Sequence, residues 1–161
     1  MLKFVLLISC LISIQTVVFC ADCVDQACLT KLYNARVTKA EYYTRPLGSS
    51  WSGSSIGRRK KRHDYHLHHA GVVVTIDQYV VGRDKWLIHK GSDYGDAHDT
   101  VITDASYMGS SWTNTKVKYL SACHYTVNSF MIAARITSPY NLLGPNCQTA
   151  ANGIWDLIEH C

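Results

Sequence analysis

Hydrophobic residues follow two different periods along the chain, and the change between them predicts where strands and helices lie. Short continuous or alternating apolar stretches predict β-strands, and turn residues between the first two stretches predict a β-hairpin or meander. These candidate strands cover residues 70–76 with a continuation over 78–82, then 86–89, 100–103 and 115–120.

Apolar residues spaced three to four positions apart predict helices on both sides of these strands. Residues 126–136 form one such segment and residues 147–158 form another. Residues 22–41 have spacings compatible with a short amphipathic helix, and the glycine- and serine-rich residues 44–57 predict a flexible linker. The order of helix, linker, strands and two helices predicts an α+β fold, in which a small antiparallel sheet packs against helices.

The N-terminal residues have the pattern of a secretory signal peptide. Lys3 supplies a positive start, and residues 4–19 are almost wholly apolar but shorter than the roughly 20 residues of a membrane span. Val18 and Cys20 are acceptable residues at the third and first positions before a cut. We therefore expect a signal peptide over residues 1–20 and a secreted, extracellular protein; an uncleaved signal anchor is the alternative.

Composition and charge narrow the classes of partner. The 161 residues are 47% hydrophobic and 17% charged, which fits one compact domain and excludes a disordered chain. The formal charge is +4, but five of the 16 basic residues form one run: Arg58, Arg59, Lys60, Lys61 and Arg62. Without this run, 11 basic residues face 12 acidic ones. We therefore expect a monomer with no nucleic-acid partner, and peripheral contact with anionic surfaces through the run alone.

The basic run also resembles a processing site. Its last four residues, followed by His63, have the form that furin-like proteases accept in secreted precursors. A cut after Arg62 would separate an N-terminal segment over residues 21–62, acting as a propeptide, from a domain over residues 63–161. An exposed charged loop is the alternative.

The cysteine count leaves one thiol without a disulfide. The chain has seven cysteines, and removal of the signal peptide with Cys10 and Cys20 leaves five. In an oxidising compartment four of them form two disulfides, and one is left over. Cys147 follows Asn146 at the start of the last predicted helix, where unpaired N–H groups and the helix dipole favour a thiolate. This position suits a cysteine nucleophile.

Two histidines flank the predicted hairpin. His69 precedes the Val-rich strand and His89 ends the next one, so adjacent antiparallel strands would hold both imidazoles at one end of the sheet. His68 is a rival for His69, because neighbours on a strand point to opposite faces. His63, His66 and His68 form only a weak zinc signal without a Cys, Asp or Glu companion, and we expect neither a metal nor a cofactor.

Three blocks of sequence contain these candidate residues. They are His69-Ala70-Gly71-Val72-Val73-Val74, Trp86-Leu87-Ile88-His89 and Tyr140-Asn141-Leu142-Leu143-Gly144-Pro145-Asn146-Cys147. In order and spacing they resemble the circularly permuted papain-like superfamily, in particular its lecithin:retinol acyltransferase-like group, with relatives among NlpC-type amidases. The resemblance covers about residues 65–160. It implies a permuted papain-like core in which Cys147 is the nucleophile, His69 the general base and His89 the group that orients His69. Gly71 favours His69 over His68, because the family's pattern places a small residue two positions after the base.

The same resemblance implies a cysteine-dependent hydrolase that cleaves an amide, peptide or ester bond through an acyl-thioester. Lipid-acting members usually continue after the cysteine with Glu-His-Phe, where this chain has Gln148-Thr149-Ala150. A lipid acyltransferase or phospholipase is the alternative enzyme, so the substrate is a small molecule, a peptide or a lipid. A non-catalytic secreted binding or defence module on the same fold is the third hypothesis.

If Cys147 stays reduced for catalysis, the other four cysteines pair completely. Cys23 and Cys28 are near enough in sequence for a local disulfide. Cys123 and Cys161 would then be left to pair with each other. The two crossed pairings remain open.

Overall fold

Five β-strands, three α-helices and one short 3₁₀ helix make up the part of the chain that the computed structural model describes, namely residues 23, 25–46, 68–91, 100–141, 143–159 and 161. In chain order they are α1 (Gln26–Asn34), β1 (Val37–Pro46), β2 (His68–Val80), β3 (Arg83–Lys90), β4 (Thr100–Asp104), the 3₁₀ helix (Ala105–Tyr107), β5 (Thr113–Tyr119), α2 (Val127–Ala133) and α3 (Cys147–Glu159). The signal peptide, the basic run, the cut after Arg62, and His63 and His66 lie outside the described residues.

The strands form one antiparallel sheet in the order β4-β3-β2-β1-β5. The predicted hairpin is confirmed: β2 and β3 are joined by a tight turn at Val81 and Gly82, whose φ angles of 45° and 78° belong to the left-handed region. Two positive φ angles in succession are typical of the type I′ turn that matches the twist of a hairpin. The expected α+β class is therefore confirmed.

The core lies between one face of this sheet and the helices. Alternate residues of β2, among them Ala70, Val72 and Val74, are buried on this face. Ile154 and Ile158 of α3 pack against it, as the amphipathic spacing predicted. The helices α2 and α3 cross closely at Gly153, where an added Cβ would lie 2.5 Å from the Ala133 carbonyl oxygen, so only glycine permits this packing.

β1 is the element that departs most from the sequence prediction. Helix α1 ends at Asn34, and residues 37–46, which we expected to be helix and linker, form a strand between β2 and β5. Residues 25–46 therefore belong to the same folded unit as the strands and helices described from His68 onward. Our expectation that the domain begins at residue 63 is wrong for this segment, because a sheet without β1 would lose two of its four strand pairings.

The two disulfides are those of the pairing that contains the local bond, and neither crossed pairing is formed. Cys23 is bonded to Cys28 and Cys123 to Cys161, with Cα–Cα distances of 5.3 and 6.0 Å, while Cys147 is reduced. The crossed pairings are excluded. Two disulfides fit a protein that folds in an oxidising compartment. Within the described ranges, none of the helices has the length and apolar character needed to cross a membrane.

Candidate active site

Asn146 caps α3 and fixes Cys147 as the first residue of the helix. The Asn146 side-chain oxygen accepts hydrogen bonds from the backbone N–H groups of Gln148 and Thr149, both at 3.0 Å. The Thr149 hydroxyl oxygen in turn accepts from the Asn146 N–H at 2.7 Å. This reciprocal capping is the reason the helix begins here. The N–H of Cys147 is one of the first-turn groups that have no partner inside the helix.

The start of α3 is held against the start of β2. The Cys147 thiol is 5% exposed, and its Sγ donates to the His68 carbonyl oxygen at 3.9 Å. The side-chain amide of Gln148 donates to the same oxygen at 3.3 Å. Cys147 therefore contacts the strand one residue before His69. In this conformation the hydrogen bond of the thiol goes to a backbone carbonyl and not to an imidazole.

His69 and His89 form a buried pair. The His69 Nε2 atom lies 3.1 Å from the His89 Nδ1 atom, and each side chain is only 7% exposed. The register of β2 and β3 places Gly71 directly opposite His89. A Cβ on Gly71 would lie 3.1 Å from the His89 Cβ and 2.9 Å from the Leu87 Cδ1. A larger residue at position 71 would therefore crowd the His89 side chain.

The surroundings keep His89 uncharged. Burial, helped by the positive charges of His69 and Arg45, lowers the pKa of the His89 imidazole from 6.5 to about 4. At neutral pH His89 is therefore a neutral hydrogen-bonding partner of His69.

Two aromatic residues of the site were missed from sequence. Trp112 lies in the glycine- and serine-containing connection before β5, and its ring centroid is 5.4 Å from that of His69. Its other neighbour is Arg45, whose guanidinium carbon is 5.2 Å from the indole centroid. Arg45 is also the cross-strand partner of His69. A lone tryptophan among small polar residues was the only sequence signal for this contact.

The second aromatic residue is Tyr42, on the helix side of the sheet. Its hydroxyl donates to the Asn152 side-chain oxygen at 2.9 Å, which ties β1 to α3. Burial, and secondarily the negative charge of a Cys147 thiolate, raises the pKa of the Tyr42 phenol. Tyr42 therefore stays protonated at neutral pH and adds no negative charge beside the thiol.

Two adjoining cavities open on the sheet face away from α3. One of about 210 Å³ is lined by His89, and its neighbour of about 440 Å³ is lined by Val73 and Lys85. They share Met108, Gly109 and Trp112 as a common wall. Alternation along β2 places His69 and Val73 on this face, so the histidine pair lies beside a groove with room for a substrate.

The structure thus brings His69 and His89 into contact on the sheet face away from α3. Cys147, at the start of α3, lies at the same end of β2 but on the helix side, and the two histidines and the thiol are not in contact in this conformation. His68, the rival base, is exposed, and its backbone carbonyl meets the thiol. The described residues contain no group of three or more His, Cys, Asp or Glu side chains suited to hold a metal ion. No protein-family model, curated protein or solved structure matches the chain. The function has to follow from the chemistry of the site itself.

Proposed function

We propose that the protein is a secreted cysteine-dependent hydrolase that cleaves an amide, peptide or ester bond. One observation carries the proposal: the reduced cysteine of the described chain stands at the first position of a helix, against the strand whose His69 is bonded to a second buried imidazole. A nucleophile, a base and a group that orients the base are the three parts of such a catalyst. The four other cysteines of the mature chain are used in disulfides, which supports secretion.

The first half of the reaction forms an acyl-enzyme. Because α3 and the His69 ring lie on opposite faces of the sheet, the reaction begins with a shift of the start of α3 that brings the Cys147 thiol from the His68 carbonyl to the His69 ring. The His69 imidazole then takes the thiol proton. The sulfur then bonds to the substrate carbonyl carbon, and the negative charge moves to the carbonyl oxygen. The N–H of Cys147 at the helix start can stabilise that oxyanion. The C–N or C–O bond breaks, and the leaving group departs with the proton from His69.

The second half regenerates the enzyme. His69 takes a proton from water, and the hydroxide attacks the thioester carbon. The C–S bond breaks, the carboxylic acid leaves, and the sulfur recovers the proton from His69. Throughout both halves neutral His89 holds the orientation of His69 through Nε2, as the buried 3.1 Å contact allows.

Labelling with iodoacetamide at pH 7 tests the nucleophile. We expect single-site labelling that Cys147→Ala abolishes, and that slows by about tenfold or more in His69→Asn, within the range for loss of a general base. The exposed His124→Asn is the matched control and should label like the wild type. With p-nitrophenyl acetate, the intact mass should transiently increase by one acetyl group in the wild type and in His124→Asn, but not in Cys147→Ala.

A labelling rate that His69→Asn leaves unchanged, together with no acyl-enzyme, would contradict the proposal. That outcome favours the non-catalytic binding module. The lipid-acting alternative depended on the basic run for membrane contact, which lies outside the described residues. Release of fatty acid from phospholipid vesicles, in place of acetyl transfer to Cys147, would favour that alternative.

A further inference from the structure

The smaller cavity beside His89 has an unusual lining. It contains one cation, an imidazole, an indole and three hydroxyl groups, from Arg45, His89, Trp112, Thr103, Tyr107 and Ser111. Among the described residues that line it, none is Asp or Glu. A cavity with one positive charge, several hydrogen-bond donors and no carboxylate matches an anion.

The neighbouring cavity, by contrast, is lined by both acidic and basic side chains. There Arg83 bonds Asp104 at 2.6 Å, and Glu41 bonds Lys39 at 2.9 Å, so these charges are already compensated within the protein. Arg45 instead lies over the Trp112 indole. Within the described part of the chain it forms no ion pair with a carboxylate. The guanidinium edge, with its row of N–H donors, therefore remains for a ligand.

We propose that this cavity is a carboxylate subsite, in which Arg45 binds a carboxylate of the substrate on the sheet face that carries His69 and His89. The inference rests on the proposed function and narrows its substrate class. The substrate is then a peptide or an N-acyl amino acid whose terminal carboxylate enters the cavity, with the last amide bond directed toward His69. Hydrolysis releases a single amino acid.

Three features favour a carboxylate over a phosphate. The guanidinium fork matches the two oxygens of a planar carboxylate. Among the described residues, Arg45 is the single Lys or Arg that lines the cavity, so it balances one negative charge and not two. His89 adds no second charge at neutral pH, because its pKa lies at about 4. A phosphate dianion would leave one charge uncompensated beside Leu87 and Met108.

Binding to the Cys147→Ala variant tests the subsite without turnover. N-acetylglycine and its neutral counterpart N-acetylglycinamide are titrated into the full-length secreted protein, and binding is followed by NMR shifts of the His69 and His89 rings. We expect the acid to bind about tenfold or more tightly than the amide, since only the carboxylate accepts charge-assisted hydrogen bonds from the guanidinium. Arg45→Gln should remove this preference, and Arg45→Lys should keep part of it.

Arg83→Gln is the matched control, because its guanidinium is held by Asp104 outside this cavity, and it should leave the preference intact. Equal binding of acid and amide, or a preference that survives Arg45→Gln in a protein with unchanged circular dichroism, overturns the subsite. Stronger competition by inorganic phosphate than by acetate overturns the assignment to a carboxylate. An Arg45-dependent preference in a protein whose Cys147 fails the labelling test supports the subsite while rejecting the proposed hydrolase.

Discussion

The rings of His69 and His89 are joined by a hydrogen bond of 3.1 Å between Nε2 and Nδ1, although the residues are 20 positions apart in sequence. The hairpin of β2 and β3 brings them together, and Gly71 opposite His89 leaves room for the second ring. Both imidazoles are buried, so a second positive charge on the pair is unfavourable. The pair is therefore a buried base with a neutral partner. Because its charge changes in acid, the free energy of unfolding should depend on pH.

Protonation of His89 should destabilise the fold in acid. The folded-state pKa of about 4 lies below the ordinary 6.5, so the unfolded chain binds more protons between these values. The contribution of His89 is fully present above pH 6.5 and is lost as the pH falls toward 4. The shift corresponds to about 3 kcal/mol at pH 4. Urea unfolding at pH 7 and pH 4 should show a loss larger by about this amount in the wild type than in His89→Gln.

The exposed His124 supplies the control for this measurement. His124→Gln should keep the pH dependence of the wild type, because it leaves the buried contact between His69 and His89 intact. If His89→Gln lost as much stability between pH 7 and pH 4 as the wild type, the buried neutral state of His89 would be wrong. The loss of the His69 contact lowers the stability of His89→Gln at both pH values, so the comparison uses the difference between them.

The buried side chain of Lys90 holds the end of α2. Its Nζ donates to the Thr100 hydroxyl at 2.8 Å and to the Arg135 carbonyl at 3.2 Å, and Thr100 donates to the Ala134 carbonyl. These two side chains satisfy carbonyls that the helix end leaves without intrahelical donors. Lys90→Met keeps most of the volume but removes the donors. We expect a loss of about 1–3 kcal/mol in the free energy of unfolding.

Lys85→Met is the matched substitution, because Lys85 is exposed on the same strand. It should change the free energy of unfolding by no more than about 0.5 kcal/mol. Urea titrations of both variants at pH 7 make the comparison. Equal effects of the two substitutions would show that Lys90 does not cap α2.

The sequence predicted most elements because their burial follows simple patterns. Residues 70–74 and 86–89 are buried without a break, as continuous apolar stretches predict, and α3 has a regular apolar stripe ending near Ile158. β1 was missed because a register shift between Val37 and Lys39 breaks the alternation. The buried residues Val37 and Ala40 are then three positions apart, which is the spacing of a helix face.

The candidate site could be predicted only in part for a similar reason. His69, His89 and Cys147 stand at element ends, where hairpin and helix-start patterns locate them from sequence. Arg45 reaches the site from β1 and Trp112 from the connection before β5, so their contacts depend on a sheet order that local patterns do not contain. The direction of the Cys147 thiol, toward the His68 carbonyl, is likewise set by the packing of α3 on β2.

The two disulfides should differ in their effect on stability because they close loops of different length. Cys123 and Cys161 are 38 positions apart, whereas Cys23 and Cys28 are 5 apart. Loop-closure entropy gives about 4 kcal/mol for the longer loop and about 2 kcal/mol for the shorter one. The longer bond also holds the end of α3, the helix that positions Cys147, to the segment before α2. Its removal should therefore weaken both folding and the anchoring of that helix.

Paired serine substitutions separate these effects. Cys123→Ser with Cys161→Ser should lower the free energy of unfolding by about 2 kcal/mol more than Cys23→Ser with Cys28→Ser, measured by urea unfolding at pH 7. Replacing both members of a pair leaves no additional reduced cysteine to exchange with Cys147. A larger loss from the short loop would mean that α1 depends on its disulfide for folding, since loop closure alone cannot produce that order.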